Sequence, residues 1–442
     1  MKMVRQFGES LITLVVSIIL FLFNAVKFIV SLPARFVSYI REFLADTDSV
    51  LKESLIALSI CAVGDLCAGI ILGNMEFFLQ TYPGLMVIIP GAIGMRGNIF
   101  GSFGSRLSTH LHIGTISPEF KRSDLLDENI TASIILTMAL SVLLGAIAKV
   151  ICILFNFPSI SLFDFVLISF IAGLISTVIM LPITMFISLK SFEGGWDPDN
   201  ITTPFIAAVG DFFTLPAIIL SVLIVNLIGF DPIVKMVLFA IIILITVVSL
   251  ISGYTADNEV RHIVRQSTPV LFFCSILGTV AGGILNNSLS TLLKNQTLLT
   301  LVPLFSGESG GLVSILGARL SSGLHSGLID PVLRPKKHTM ENFIAIVTLA
   351  VVMYPLIGFL AESSTIAFNN IGVGYLQSIL ISLLAGMILI LIMLLVVFYI
   401  STISYRRGLD PDNIVIPLST SLTDSISTLI LIVVSLGLLS LI

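Results

Sequence analysis

Two aspartates at matching places in the chain are the residues whose type and position best suit chemistry. Asp211 and Asp424 each follow an Asp-Pro-Asp-Asn motif by about 12 residues. An α-helix rises about 1.5 Å per residue, so a helix starting at the motif places each carboxylate about 18 Å deep, near the midplane of a bilayer. A carboxylate there costs about 2.5 kcal/mol or more and usually marks a pathway. The alternative is a structural aspartate neutralised by a proton or by Arg96 or Lys149, but the repetition favours a functional site.

Hydroxyl side chains accompany the two carboxylates on the same helix faces. They are Ser421, Ser425 and Thr428 beside Asp424, and Thr214 beside Asp211. Carboxylates, hydroxyls and water suit a hard cation. Mg²⁺ keeps several waters and uses one or two carboxylates, whereas Ca²⁺ prefers a crowded cage of protein oxygens. The sequence has no Cys/His cluster that favours zinc or copper. An anion pathway needs basic residues at this depth, where only Arg96 occurs.

Two Gly-rich segments supply weaker candidate ligands. Close helix packing explains most of their glycines. In addition, we expect Gly-Met-Arg-Gly-Asn and Ser-Gly-Glu-Ser-Gly-Gly to unwind locally and to turn carbonyl groups toward an ion, which is tolerated at membrane depth only along a cavity or inside protein. The weaker candidates are Gly94, Asn98, Gly307 and Glu308 in these segments, and Asp65 in an earlier helix.

The Asp-Pro-Asp-Asn motifs themselves have the composition of helix starts. Proline suits the first helical position, and Asp or Asn caps the free N–H groups. At the inner mouth of a pathway, their carboxylates would also concentrate cations. Capping is the interpretation that we favour for Asp197, Asp199, Asp410 and Asp412.

The elements that must position these residues are transmembrane helices. The chain has 442 residues, of which 56% are hydrophobic and 11% charged, against about 25% charged in soluble domains. Such a composition excludes a soluble enzyme, a secreted disulfide scaffold and a nucleic-acid binder, and long unbroken apolar runs argue against a β-barrel. No metalloprotease motif occurs, and Gly307–Gly311 matches a serine-hydrolase motif by letter only, without its strand–turn–helix context. We therefore expect no enzyme activity and no cofactor.

Hydropathy predicts eleven spans in a multi-pass cell-membrane protein. They are 51–73, 82–105, 130–156, 160–189, 203–229, 232–253, 267–287, 298–320, 342–361, 372–402 and 414–441. Residues 11–31 form a twelfth apolar stretch that either spans or lies at the interface. Fifteen lysines and arginines fall on one side of the eleven spans, and only Lys235 and Lys294 on the other. By the positive-inside rule, the side preceding the first span is cytoplasmic and the C-terminus lies outside.

An internal repeat sets the predicted architecture. With a shift of 213 residues, 12 of 29 positions in 90–118 are identical to 303–331, and the Asp-Pro-Asp-Asn motifs align in the same register. We predict an all-α polytopic membrane protein with two parallel five-helix repeats, related by a pseudo-two-fold axis along the membrane normal. The predicted boundaries are an N-terminal segment 1–49, repeat one at 50–230, a linking transmembrane helix at 231–256 and repeat two at 257–442.

The pattern resembles a known family, the MgtE-type magnesium channels and the related solute-carrier magnesium transporters. The matching features are the Pro-led Gly-rich helix ending in Arg-Leu-Ser, and the Asp-Pro-Asp-Asn motif followed by a proline and a membrane-buried aspartate. The resemblance implies a pore between two five-helix units, with the hydrated ion bound by Asp211 and Asp424. It also implies units fused in one chain, as in the solute-carrier branch.

The resulting expectation is a divalent cation transporter or channel, with Mg²⁺ as the transported ion. The alternative is a sodium- or proton-coupled carrier of another substrate, with a larger cavity of aromatic or amide lining and the same aspartates as coupling sites. The expected partners are the lipid bilayer and divalent cations, without nucleic acid. A homodimer stays open, but we expect one chain to suffice for the pathway.

Overall fold

The structure is a computed structural model that describes residues 49–114, 116, 123–193, 198–228, 232–407 and 411–439. Every regular element in these residues is an α-helix, as the composition predicts. The apolar stretch 11–31 and most of the predicted N-terminal segment lie outside the described residues.

Thirteen helices follow one another along the described chain. They are α1 Ser49–Gly73, α2 Glu76–Thr81, α3 Leu85–Ile113, α4 Asp124–Leu154, α5 Leu162–Glu193, α6 Pro198–Ile228, α7 Pro232–Thr255, α8 Glu259–Asn287, α9 Leu289–Leu292, α10 Gln296–His325, α11 Lys337–Ala367, α12 Tyr375–Arg406 and α13 Pro411–Leu439. All except the short α2 and α9 are long and apolar enough to cross a membrane, which confirms the eleven predicted spans. The predicted start of α8 at residue 267 is wrong, because the helix begins at Glu259. Its first two turns are polar, so hydropathy did not include them in the span.

Local chemistry explains where several helices begin and end. Gly84 and Gly114 flank α3 with φ angles of 83° and 77°, a left-handed conformation that glycine adopts without steric cost. Ser123 caps α4 by accepting a hydrogen bond from a backbone N–H of the first turn. Pro198 and Pro411 of the Asp-Pro-Asp-Asn motifs are the first residues of α6 and α13, where the fixed proline φ and the missing N–H are tolerated.

The first long helix of each half packs against the other half. Helix α1 lies against α10 and α11, and α8 lies against α3 and α4. Each also contacts the last helix of its own half, α6 for α1 and α13 for α8. This exchange joins the two halves into one body.

Two close backbone contacts between the halves occupy equivalent places. A Cβ atom on Gly69 of α1 would collide with the carbonyl oxygen of Thr300 in α10, and one on Gly282 of α8 would collide with that of Val87 in α3. Both members of the second contact are 213 residues from their counterparts in the first. Small residues allow such close helix approach in membranes.

The same register relates two partly buried polar contacts. Arg106 donates to the amide oxygen of Asn129 at 2.7 Å, and Arg319 donates to that of Asn342. Each arginine lies in the last third of a Gly-rich helix, and each asparagine lies in the second turn of the next helix of the bundle. These contacts support the internal repeat, while the two-fold axis and its direction stay predictions.

Helix α7 lies at the periphery of the bundle. It contacts α4, α5 and α8, and only 11% of its span is buried. Its exposed residues are mostly apolar, among them Ile233 and Leu244. A helix of this kind faces lipid and connects the halves rather than lining a site.

Candidate cation site

A cavity of about 370 Å³ lies between the two halves. Its lining comes from α1, α3 and α6 of the first half and from α8, α10 and α13 of the second. Polar residues lie at the end where α8 begins, namely Arg106, Glu259, His262 and Gln266. Apolar residues lie at the opposite end, namely Leu72, Ile89, Leu285 and Val302.

Three carboxylates face the middle of this cavity. They are Asp65 of α1, Asp211 of α6 and Asp424 of α13. Asp65 and Asp211 are almost fully buried, at 2% and 8% exposure. Asp424 accepts a 2.7 Å hydrogen bond from the hydroxyl of Ser306.

Neither of the two basic residues considered from the sequence neutralises these aspartates. Arg96 is fully buried, its guanidinium lies near Gly173 of α5, and its nitrogens have no hydrogen-bond partner among the described residues. Lys149 donates instead to the hydroxyl of Ser159 and to the carbonyl of Ile160. No described lysine or arginine forms an ion pair with the three cavity aspartates. Among the described residues, a buried basic partner therefore does not account for these aspartates.

The two candidate glycines lie next to carboxylates, which occupy the space where a side chain would otherwise be. A Cβ atom on Gly307 would collide with the carboxylate of Asp65, and one on Gly94 would lie 3.1 Å from Oδ2 of Asp424. Both Gly-rich segments remain helical, within α3 and α10. The prediction that they unwind is wrong, because the glycines provide room for carboxylates while the helix keeps its carbonyl groups in its own hydrogen bonds.

The remaining oxygen-bearing candidates divide into two groups. Asn98 and Thr428 line the cavity, and Asn98 also donates a 3.0 Å hydrogen bond to Ser421. Ser421, Ser425 and Thr214 do not line it. Ser425 and Thr214 donate to backbone carbonyl groups, so their hydroxyls serve helix packing in this arrangement.

Glu308 is fully buried on α10 but does not line the cavity. The four aspartates of the Asp-Pro-Asp-Asn motifs cannot be placed at side-chain level. Asp197 and Asp410 lie outside the described residues, and Asp199 and Asp412 are described only as backbone in the first turns of α6 and α13. Their role as caps stays a prediction.

Asp65 is the residue whose position the sequence indicated least. Its counterpart in the second half is Gly278, so the repeat gives it no support. The structure brings it next to Asp211 because α1 and α6 pack together. A charged residue in the middle of a predicted span was the available signal.

The donor set fits a cation that keeps its water. Within the described ranges, no three His, Cys, Asp or Glu side chains converge closely enough to hold a metal ion. An octahedral ion with six waters needs about 180 Å³, which the cavity volume of about 370 Å³ accommodates. Carboxylates around such a space are ligands of the kind that a hydrated hard cation prefers.

A helical membrane protein with an acidic cavity between two halves is a cation-transporting protein by class. The chain belongs to the MgtE family of divalent cation transporters, because a model of that family matches residues 89–222 and 302–434. The two matches begin 213 residues apart, in the register of the internal repeat. Membership of a transporter family agrees with the prediction that the chain is not an enzyme.

Curated relatives extend the similarity over most of the chain. Solute carrier family 41 member 3 of Rattus norvegicus is 24% identical over 431 residues, which cover 88% of this chain and 89% of that protein. Solute carrier family 41 member 2 of Xenopus laevis is 24% identical, with 86% and 72% covered. The Homo sapiens member 2 is 23% identical, with 86% and 69% covered. No solved structure matches the chain significantly.

Proposed function

We propose that this protein transports Mg²⁺ through the cavity between its halves, with Asp211 and Asp424 as the residues that bind the hydrated ion. The observation that carries the proposal is the presence of both aspartates in one cavity without a basic partner. Asp65 adds a third carboxylate to the same cavity. Mg²⁺ suits this set because it retains several waters and uses one or two carboxylates.

The lining of the cavity favours an ion over an organic substrate. A carrier of an organic solute would need aromatic or amide groups around its ligand. None of the lining residues is Phe, Tyr or Trp, and Asn98 and Gln266 are the only amides among them. Small residues dominate next to the carboxylates, including Gly94, Gly97 and Gly310. This composition suits a small hydrated ion and supports the divalent cation over the alternative substrate.

The proposed orientation puts the polar end of the cavity in the cytoplasm. That end carries Arg106, and the first two turns of α8 carry Arg261 and Arg265. Positive residues accumulate on the cytoplasmic side of membrane proteins. A hydrated cation would then reach the aspartates from the cytoplasm, and the apolar end would close the outer side.

A single chain is proposed to suffice for transport. All six helices that line the cavity come from one chain, three from each half. The pseudo-two-fold axis proposed from the repeat passes between the halves, where Asp211 and Asp424 meet the cavity. Association of two chains would therefore bring together two complete pathways.

The test is flux of ²⁸Mg²⁺ or a Mg²⁺-sensitive dye signal in proteoliposomes, with Mn²⁺, Ca²⁺ and Na⁺ gradients imposed separately. We expect Asp211→Asn with Asp424→Asn to abolish Mg²⁺ flux, because asparagine keeps the volume but removes the charge that attracts the cation. Asp164→Asn is the matched control, since Asp164 pairs with Lys235 away from the cavity. Parental flux in the double variant would refute the assigned site, and flux lost equally in the control would show a general defect.

A further inference from the structure

Arg96 is a buried positive charge that the proposed Mg²⁺ pathway does not use. Its side chain is fully buried on α3 and does not line the cavity. The guanidinium atoms Nε, Nη1 and Nη2 all lack a hydrogen-bond partner among the described residues. Arginine is always charged in proteins, and its guanidinium has N–H donors but no acceptor. A charge of this kind in the membrane interior needs a compensating negative group.

The helices around Arg96 do not supply that negative group. Helix α3 packs against α4 and α5, and these two also pack against each other. The sequence of α3 contains no Asp or Glu, and the acidic residues of α4 and α5 lie close to the helix ends. Asp211 of α6 follows Gly210, whose Cβ atom would lie 3.7 Å from Cβ of Arg96. Its carboxylate, however, faces the cavity and does not bond to the guanidinium.

An unpartnered hydroxyl group lies beside the guanidinium. Oγ of Ser141 on α4 and Nη2 of Arg96 are both within 3.1 Å of the point that a Cβ atom on Gly173 of α5 would occupy. Oγ of Ser141 is buried and has no hydrogen-bond partner in the described part of the chain. Two donor groups from different helices therefore meet at Gly173 without bonding to each other.

Further hydroxyl groups on the same helix faces are also buried and unpartnered. They are Thr137, one turn before Ser141, and Ser169 and Ser176, one turn to either side of Gly173. A hydroxyl within a membrane helix can donate to the carbonyl group four residues earlier, as Ser133 and Thr177 do on these two helices. The faces next to Arg96 thus offer O–H donors that the helices leave available.

We propose that Arg96 and Ser141 hold a small monovalent anion such as chloride in a buried site among α3, α4 and α5, separate from the cation cavity. One negative charge balances one guanidinium. A spherical anion accepts hydrogen bonds from N–H and O–H groups of several helices at once, because its attraction to donors has no single direction. A water molecule would leave the charge of Arg96 uncompensated. Sulfate or doubly charged phosphate would bring more negative charge than this arginine balances.

The second half solves the same position without an ion. The counterparts of Arg96 and Ser141 in the repeat are Ser309 and Tyr354. Their hydroxyl groups bond to each other at 3.0 Å, and both residues are fully buried. The ring of Tyr354 fills the space beside Gly386, the counterpart of Gly173. A neutral pair therefore closes this place in the second half, so the anion site occurs once in the chain.

The experiment measures thermal unfolding of the full chain in lipid nanodiscs, without Mg²⁺ and at one pH. Sodium chloride replaces sodium gluconate in steps at constant ionic strength, so that only the anion changes. Gluconate is too large for a buried site. We expect chloride to raise the Tm of the wild type by about 2 °C, with saturation as the site fills. Arg96→Gln should lose this shift, because glutamine carries no charge for the anion to balance.

Two variants serve as controls for the position of the anion. Lys149→Gln removes another basic residue of the same half, and it should keep the chloride shift because Lys149 is already bonded to Ser159 and Ile160. Asp211→Asn combined with Asp424→Asn should also keep it, so failure of the proposed Mg²⁺ site is distinguishable from failure of this site.

A third variant keeps the test decisive if Arg96→Gln does not fold. Arg96→Ser combined with Ser141→Tyr introduces the neutral pair that the chain already accommodates in its second half. We expect this variant to fold and to have the same Tm in chloride and in gluconate.

Three outcomes would overturn the proposal. Equal Tm values of the wild type in chloride and gluconate would exclude a chloride site. A chloride shift of wild-type size in Arg96→Gln, or in the variant with the neutral pair, would place the anion elsewhere. A shift that rises without saturation and is the same in every variant would show a general salt effect.

Discussion

Two glycines leave room for the carboxylates of the cavity, and they therefore determine where these carboxylates can lie. Gly307 leaves space for the carboxylate of Asp65, and Gly94 leaves space for that of Asp424. A side chain at either position would push a charged group out of place. Gly310, one turn after Gly307 on α10, has no atom within 4 Å of the position that its Cβ would occupy. The two glycines of one helix thus have different structural roles.

We predict that Gly307→Ala lowers both Mg²⁺ flux and stability, because its methyl group displaces Asp65. The expected loss of stability is about 1–3 kcal/mol, as for other overpacked sites. Gly310→Ala is the control, and alanine there should be neutral or stabilising by up to about 1 kcal/mol through helix propensity. Thermal unfolding and flux in proteoliposomes check both variants. Equal behaviour of the two alanines would contradict the steric explanation.

Equivalent residues of the two halves do not always do the same chemistry. Lys149 and Glu362 occupy the same repeat position. Lys149 donates to the carbonyl of Ile160 at 2.9 Å, whereas Glu362 accepts from the N–H of Gly374 at 2.9 Å. Both side chains hold the loop before the fourth helix of their half, so opposite charges fulfil the same structural task.

The exchanged helices α1 and α8 depend on glycine at the points where they cross the other half. At Gly282, the backbone of α8 meets the carbonyl group of Val87, and no side chain fits between them. The equivalent contact joins Gly69 to Thr300. These two crossings fix the depth of α1 and α8 relative to the cavity, and therefore also the depth of Asp65.

We predict that Gly282→Ala destabilises the bundle by about 1–3 kcal/mol, because a methyl group would push against backbone rather than a movable side chain. Gly437→Ala is the matched control, since nothing lies within 4 Å of its Cβ position on α13. Thermal unfolding in nanodiscs measures the difference. A Gly282→Ala variant as stable as Gly437→Ala would show that α8 can shift without cost.

Hydropathy and the repeat predicted much of this architecture, for physical reasons. Spans are long apolar segments with charged ends, so composition alone locates them, and Asp211 and Asp424 are recognisable from their distance to a helix start. Asp65 was recognisable only as a charged residue within a span, because its place in the cavity depends on α1 packing against α6 and across to α10, which no local pattern encodes. The Gly-rich segments were expected to unwind but remain helical. Glycine permits both unwinding and close packing, and the groups packed against these helices determine which of the two occurs.

At the scale of the whole molecule, neither half contains all its packing partners. Helix α3 needs α8 of the second half, and α10 needs α1 of the first. The cavity likewise takes three helices from each half. Folding of the membrane domain is therefore a joint property of both halves.

We predict that a chain split between α6 and α7 transports Mg²⁺ only when both pieces are produced together. Each piece alone lacks one exchanged helix and leaves glycine-lined grooves and buried polar groups facing lipid. Co-purification of differently tagged pieces and flux in proteoliposomes measure the recovery. Transport by either piece alone, as a pair of identical halves, would contradict the mixed cavity.

The exchange of first helices also has a consequence for biosynthesis. Helix α1 meets α6 early, but its partner α10 begins about 220 residues after α1 ends. At about 5–20 residues per second, the ribosome needs roughly 10 to 45 s to supply that partner. During this interval, the α1 face that carries Asp65 lies in the bilayer without α10. A carboxylate that no protein group shields there costs about 2.5 kcal/mol or more. The time during which the nascent chain is most exposed to membrane quality control is thus set by the distance along the chain between α1 and α10.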